Sequence, residues 1–285
     1  MSEKYILVGI DGSAISDDLI QYAIWLSQSN ALPIKLLHTI EHSHQSENAH
    51  HEGNLTPNIR RELLQELSEE ERQQSKVLLA KGKALINTAK QKVLDAGIQS
   101  VVTQLRHGTL PEAVADLADE IALLMLGSKG KDHKDDEKGL GYHLEQAIKA
   151  TDKPVFIAKK TFSQPKKVLF AYNGSPTSKR ALAMLTKDTI YKEALEVHVV
   201  CVNNDQQLAK SLVDEAQQAL SKTNHVVTKV LTGDTITQLT AYQQENAIDI
   251  TVMGAFSHGK LHGFFFGSFT VKMIQQSETN FLLIR

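Results

Sequence analysis

Lys4-Tyr5-Ile6-Leu7-Val8-Gly9-Ile10-Asp11-Gly12-Ser13 returns later in the chain as Lys166-Lys167-Val168-Leu169-Phe170-Ala171-Tyr172-Asn173-Gly174-Ser175. Each stretch is a short apolar run closed by an acid or its amide, a glycine and a serine. That is the pattern of a buried strand entering a tight turn. The residues that follow also correspond. A period this long marks a duplicated domain, because solenoid units repeat every ~20–50 residues. The chain therefore divides into a first unit over residues 1–160 and a second over 165–285. Its 285 residues suit two units of ordinary size, each with its own core.

Within the first unit the strand is followed by a helix whose Leu19, Tyr22, Ala23 and Leu26 form one apolar stripe. Ile34–Ile40 reads as a second strand and Glu41 to Thr56 as a polar, His-rich loop. A long helix runs from Pro57 to about Ala96, closed by Gly97, and Gly82 inside it marks a bend or break. Val101–Leu105 is a third strand. Thr109-Leu110-Pro111-Glu112 offers a capping box to a helix carrying Val114, Leu117, Ala118 and Ile121 on one face. Leu123–Leu126 is a fourth strand ending at Gly127. A helix from Tyr142 to Lys149 leads into a fifth strand, Pro154 to Ala158.

The second unit repeats the order, with strands at Val168–Tyr172, Glu196–Val202, Val226–Leu231, Ile250–Met253 and Phe281–Ile284. Helices are expected at about Ser178 to Leu185, Gln206 to Lys222, Asp234 to Asn246 and Ser268–Gln276. Alternating strands and helices with near-continuous apolar strands predict two tandem, doubly wound, parallel five-stranded sheets of Rossmann-like α/β type. Ligands of such sheets bind beyond the carboxyl ends of the strands, at the topological switch point.

Composition excludes several classes. The chain has 31 Lys and Arg against 33 Asp and Glu, a formal charge of −2, so nothing global attracts nucleic acid or an anionic membrane. Cys201 is the sole cysteine, which rules out an internal disulfide and fits a reducing cytosol. Neither a signal-peptide pattern nor a membrane-length apolar run is visible, so a cytoplasmic location is expected.

The site chemistry follows from the late segments. In the second unit Val252-Met253-Gly254-Ala255-Phe256-Ser257 ends the fourth strand, and Gly267-Ser268 opens a helix. Glycines let a ligand approach the backbone, while free N–H groups and the helix dipole favour phosphate oxygens. Ser268 can cap the helix or donate its hydroxyl to a phosphate. The same residues also suit a purely structural role, with Gly254 and Gly267 permitting turns and Ser268 only capping.

The strand–Asp-Gly-Ser opening, the late Gly-x2-Gly-x9-Gly-Ser pattern and the β/α order together resemble the universal stress protein family, and the doubled chain resembles its tandem members. The likeness covers nearly all of both halves. It implies binding of ATP or another adenine nucleotide, with magnesium accompanying ATP. The late pattern would hold ribose and phosphates; the acid after strand one and the residue ending strand two would hold the adenosine. In the second unit this assigns Gly254, Gly267 and Ser268, with Phe269 offering a backbone N–H. Ser257 stands where the second glycine belongs and Asn173 where the family has Asp. Asn keeps an acceptor oxygen but adds a donor and loses the charge. Val202 and Met253 stand where apolar contacts to adenosine are implied. In the first unit Asp11, Gly127 and Gly130 are kept and Thr39 ends the second strand. There Gly141 arrives one residue late, Tyr142 replaces the serine, and the loop over 131–138 carries four acids against three lysines. The first unit therefore reads as a degenerate structural domain, the alternative being a weak site at Asp11, Thr39, Gly127, Gly130 and Gly141.

Other features read as structure first. His38, His42, His44, His50 and His51 are dense enough for a zinc or nickel site, but no ordered ligand spacing accompanies them, and a solvated loop is the expectation. His258, Lys260 and His262 either reach phosphates or line an exposed loop. Phe264-Phe265-Phe266 suits packing between domains or subunits. The charged run Arg60–Arg72 reads as a solvent face, Cys201 as an inert buried thiol, and Asp249 as a turn residue. No nucleophile–base pair or carboxylate dyad is recognisable, so no catalytic residue is assigned. The leading reading is a cytoplasmic tandem protein binding an adenine nucleotide mainly through its second unit, in stress response or signalling towards an unidentified protein partner. The alternatives are a scaffold that binds no nucleotide and a slow ATP hydrolase or phosphotransferase. Two family domains typically pair, so the halves would pair with each other or through a homodimer.

Overall fold

Ile6, Leu7 and Val8 are all buried, so the first strand is covered on both faces, as its unbroken apolar run requires. The computed structural model describes residues 3–41, 57–128, 142–187, 195–222, 224–255 and 267–285. The first half comprises β1 (Tyr5–Gly9), α1 (Ala14–Asn30), β2 (Ile34–Ile40), α2 (Pro57–Asp95), β3 (Val101–His107), α3 (Leu110–Asp116), β4 (Ile121–Gly127), α4 (Tyr142–Lys149) and β5 (Val155–Ala158). The second comprises β6 (Lys167–Ala171), α5 (Pro176–Lys187), β7 (Glu196–Val202), α6 (Gln206–Leu220), β8 (His225–Leu231), α7 (Thr235–Glu245), β9 (Ile250–Gly254), α8 (Ser268–Gln276) and β10 (Asn280–Ile284).

The strands form one ten-stranded sheet in the order β3-β2-β1-β4-β5-β10-β9-β6-β7-β8. Pairing is parallel within each half, and β5 meets β10 antiparallel, with Phe281 opposite Ile157 and Leu283 opposite Val155. The two expected five-stranded sheets are thus joined edge to edge. The reason lies in the strands themselves: every residue of β5 and of β10 is buried. Left unpaired, each would be an apolar edge with free backbone donors and acceptors. Helices α1, α2, α5 and α6 cover one face, where Leu19, Ile86, Leu182 and Val213 meet Ile6, Val8 and Phe170. Helices α3, α4, α7 and α8 cover the other, where Val114, Ile148, Leu239 and Ile274 meet Leu7, Leu124 and Phe281. Both cores run across the seam.

Local signals behave as their chemistry dictates. Gly97, at φ +85, closes α2 while Ile98 N–H donates to the Val93 carbonyl at 3.3 Å and Gly97 N–H to Leu94 at 2.9 Å. Thr109 and Glu112 cap one another reciprocally. Two readings need correction. The helix after Thr109 stops at Asp116, and Ile121 starts β4, drawn into the sheet by its pairing with Tyr5. Gly82 does not break α2, which runs on to Asp95; a Cβ there would lie 2.9 Å from His38 Cδ2, so the glycine makes room for that ring.

Candidate functional site

The strand order changes direction between β1 and β4 in the first half and between β6 and β9 in the second. Beyond the carboxyl ends of these strands lie the two switch points. In the second, β6 runs out through Tyr172 into the Asn173-Gly174-Ser175 turn. Gly174 sits at φ +72, and a Cβ there would also strike Leu212 Cδ2 of α6 at 2.6 Å. The positive φ favours glycine, and any side chain there would also have to displace the Leu212 methyl. The exposed Asn173 accepts the Ser175 N–H on Oδ1 at 3.1 Å. Ser175 Oγ in turn accepts the Ser178 N–H at 3.3 Å and donates to Ser178 Oγ at 3.2 Å, tying the turn to α5.

Gly254, the last residue of β9, faces that helix start. A Cβ at this position would lie 2.7 Å from the Ser178 nitrogen and 2.7 Å from Thr177 Oγ1. Its missing side chain is therefore demanded by the approach of α5, whatever else the site holds. Met253 beside it is buried in the core, and Val202, closing β7, is half-buried.

Gly267 differs. Its φ is −67, open to any residue, and no described atom lies within 4 Å of a Cβ built on it. It is also the N-cap of α8, so Ser268 is the first helical residue and not the cap that its sequence context suggested. Ser268 and Phe269 are exposed. The first N–H groups of a helix have no intrahelical acceptor, and here that first turn lies at the switch-point end of the sheet. Ser257, His258, Lys260, His262 and Phe264-Phe265-Phe266 lie outside the described residues.

The first switch point is wired differently. Asp11 Oδ1 accepts the Ser13 N–H at 2.9 Å, the Ser13 hydroxyl at 2.6 Å and the Ser16 hydroxyl at 2.8 Å. One carboxylate oxygen thus carries the work that Ser175 carries in the other half. Thr39 is the penultimate residue of β2, not its last; the strand continues through Ile40, whose carbonyl accepts the Gly108 N–H at 3.1 Å. Pairing still makes Thr39 the counterpart of Val202, because Gly9 stands beside Leu37 and Ala171 beside Val200, a slip of one residue between the copies. Gly127 closes β4 beside Ala158. Gly130 and Gly141 lie outside the described residues, as do His42, His44, His50 and His51. His38 belongs to β2, with Nδ1 2.7 Å from the Ile10 carbonyl. Among the described residues no group of three or more His, Cys, Asp or Glu side chains is arranged to hold a metal ion.

Several polar contacts escaped sequence reasoning. Tyr172, next to the second-half turn, donates its hydroxyl to Glu215 Oε1 at 3.0 Å; burial, then this contact, pushes its pKa up to about 12. His198 is buried with Nδ1 2.8 Å from the Tyr242 hydroxyl and Nε2 2.6 Å from Glu196 Oε1. That second bond is the main reason the Glu196 carboxyl is held below its ordinary range. The trio sits at the amino end of β7, away from the switch point. A histidine at an inward position of an apolar strand was its only sequence signal. A groove of about 450 Å³ between β8 and α7 is lined by Leu231, Ala241 and Tyr242, at the outer edge of the sheet. The register sets Arg106 beside Thr39 as it sets Leu231 beside Val202, and Arg106 bridges to Asp116 at 2.6 Å. Burial pushes the Cys201 thiol up, in keeping with an inert residue.

Comparison with known proteins matches both halves. The universal stress protein family model fits residues 3–159 and 165–285. Universal stress protein Slr1230 of Synechocystis sp. is 29% identical over 287 residues, covering 99% of this chain and 100% of that protein. Among solved structures, a universal stress protein of Archaeoglobus fulgidus superposes with a TM-score of 0.69 at 17% identity, covering 100% of this chain and 97% of its own. A functionally unknown protein of Pseudomonas aeruginosa superposes with a TM-score of 0.59 at 16% identity, covering 99% and 92%. At these identities the two structures bear on the fold alone.

Proposed function

This chain belongs to the universal stress protein family, and from that membership we propose that it binds an adenine nucleotide (ATP, ADP or AMP) chiefly through its second half, as a cytoplasmic stress-response or signalling protein. The observation that carries the reading is the open backbone at Gly267. No steric or conformational demand among the described residues requires glycine there, whereas a phosphate approaching the first turn of α8 would. In this reading the N–H groups of Ser268 and Phe269 and the Ser268 hydroxyl receive phosphate oxygens, and magnesium travels on the phosphates of ATP. Asn173 offers its side-chain amide to the adenosine. Nucleotide bound at this turn would then change the surface shown to a protein partner.

Calorimetric titration with ATP, ADP and AMP tests this on the intact chain and on Gly267→Val. Binding by the first and loss in the second is expected. If the wild-type chain takes up none of the three at millimolar concentration, the nucleotide reading is lost.

A scaffold that binds no nucleotide is favoured by one observation: Gly254 is explained by α5 alone. The absorbance at 260 nm of gently purified protein separates the readings. A co-purified nucleotide raises it, and a clean spectrum with silent titrations leaves the scaffold.

A further inference from the structure

The helix that opens at Gly267 is nine residues long. Isolated helices below about 12–15 residues are marginal in water, so the position of its first turn is set by tertiary contacts. Burial of Thr270, Met273 and Ile274 supplies part. The rest is at the opposite end. The ammonium of Lys159, just past β5 in the first half, donates to the carbonyls of Ile274 and Ser277. Lys159 is itself held, because its backbone N–H and that of Lys160 donate to Asn280 Oδ1 at 2.9 and 3.2 Å. From the second half, Ser277 Oγ donates to Gln243 Oε1 at 2.7 Å and lies 3.1 Å from Thr279 Oγ1. The last turn of α8 is thus gripped from both halves, and a cation at its carbonyl end suits the helix dipole.

The arrangement is reciprocal. Arg285, just past β10, donates from Nη2 to the Lys149 carbonyl at the end of α4, at 3.3 Å. Each half supplies the cation that closes the last helix of the other. A short helix moves as one rod, and Ile274 is about 10 Å along the axis from Gly267. Displacement at one end is therefore displacement at the other.

We propose that Lys159 is a positioning residue for the nucleotide site of the second half: by holding the carbonyl end of α8 from the first half, it sets where the first turn of that helix presents its N–H groups. This rests on the reading that phosphates sit at that turn. It also links nucleotide binding to the β5–β10 seam, since contacts that fix α8 favour binding and binding must favour those contacts equally.

Two measurements on the full chain decide it, ATP titration and amide hydrogen exchange of α8 without nucleotide. Lys159→Met should weaken ATP at least about five-fold, and Lys159→Arg should restore it to within about two-fold. Arg285→Met, the mirror contact on α4, should leave ATP affinity within about two-fold of wild type. Exchange in α8 should accelerate in Lys159→Met and not in Arg285→Met. ATP bound equally well by Lys159→Met and wild type overturns the proposal. So does unchanged α8 exchange. A wild-type chain that takes no ATP while α8 exchange accelerates in Lys159→Met sinks the nucleotide reading and upholds the grip of Lys159 on α8.

Discussion

Gly254 and Ser178 approach so closely that the backbone nitrogen of the second occupies the space a side chain on the first would need, 2.7 Å from its Cβ. The obstructing atom belongs to the first turn of α5 and cannot rotate away. Gly254→Ala should therefore cost about 3 kcal/mol, as overpacking against an unyielding neighbour does. Gly267→Val, with no described atom within 4 Å of the added Cβ, should cost less than about 1 kcal/mol, the scale of an N-cap change. Urea unfolding of both variants checks the contrast, and equal losses would refute it.

Asp11 and Asn173 hold equivalent turns with unequal effort. Asp11→Ala strips one acceptor from three donors and should destabilise the chain by about 2 kcal/mol. Asn173→Ala removes a single neutral bond at an exposed position and should cost about 0.5–1 kcal/mol. Thermal denaturation of the two variants would show the difference as a larger fall in Tm for Asp11→Ala.

Asn280 is fully buried and bridges the seam. Besides accepting from Lys159 and Lys160, its Nδ2 donates to the Tyr22 hydroxyl at 2.9 Å and the Asp249 carbonyl at 3.2 Å. Asn280→Ala leaves two backbone N–H groups without their acceptor and should cost about 3 kcal/mol. Asn280→Asp keeps the acceptor but buries a charge, and should be no better tolerated. Equilibrium unfolding within about 1 kcal/mol of wild type for either variant would contradict this account.

Tyr172 gives a pH signature. Its folded pKa, pushed up to about 12 from 10.0, lies above the unfolded value. The folded chain therefore keeps the proton that the unfolded chain loses, and the stabilisation is complete below pH 10 and fades as pH rises toward 12. Tyr172→Phe should be less stable than wild type by about 1 kcal/mol at neutral pH. That deficit should shrink above pH 10. A deficit that stays constant to the alkaline limit of folding would show that the phenol proton is not linked to stability.

The expectations that held were those written locally. A strand needs only its own apolar run, so β2 and β7 fall where their sequences end. Gly97 and the Thr109–Glu112 box act within a few bonds of themselves. Most of the readings that failed concern partners far along the chain. Ile121 looked helical by spacing until Tyr5 paired with it. Gly82 looked like a helix defect because nothing near it announces the His38 ring. Ser268 looked like a cap because cap and first helical residue differ only in backbone angle.

The repeated strand and its turn, with Asp11 in one copy and Asn173 in the other, determined by sequence alone that the chain is a doubled α/β protein. Such signals sit in contiguous residues and depend on side-chain type and spacing. Which edges meet, why Gly254 lacks a side chain and what holds α8 were decided only in the tertiary structure. Each depends on atoms brought together from opposite ends of the chain, as Lys159 is brought to Ser277. No local pattern carries the identity of such a partner, because the contact exists only where the edges of the two halves meet in the folded sheet.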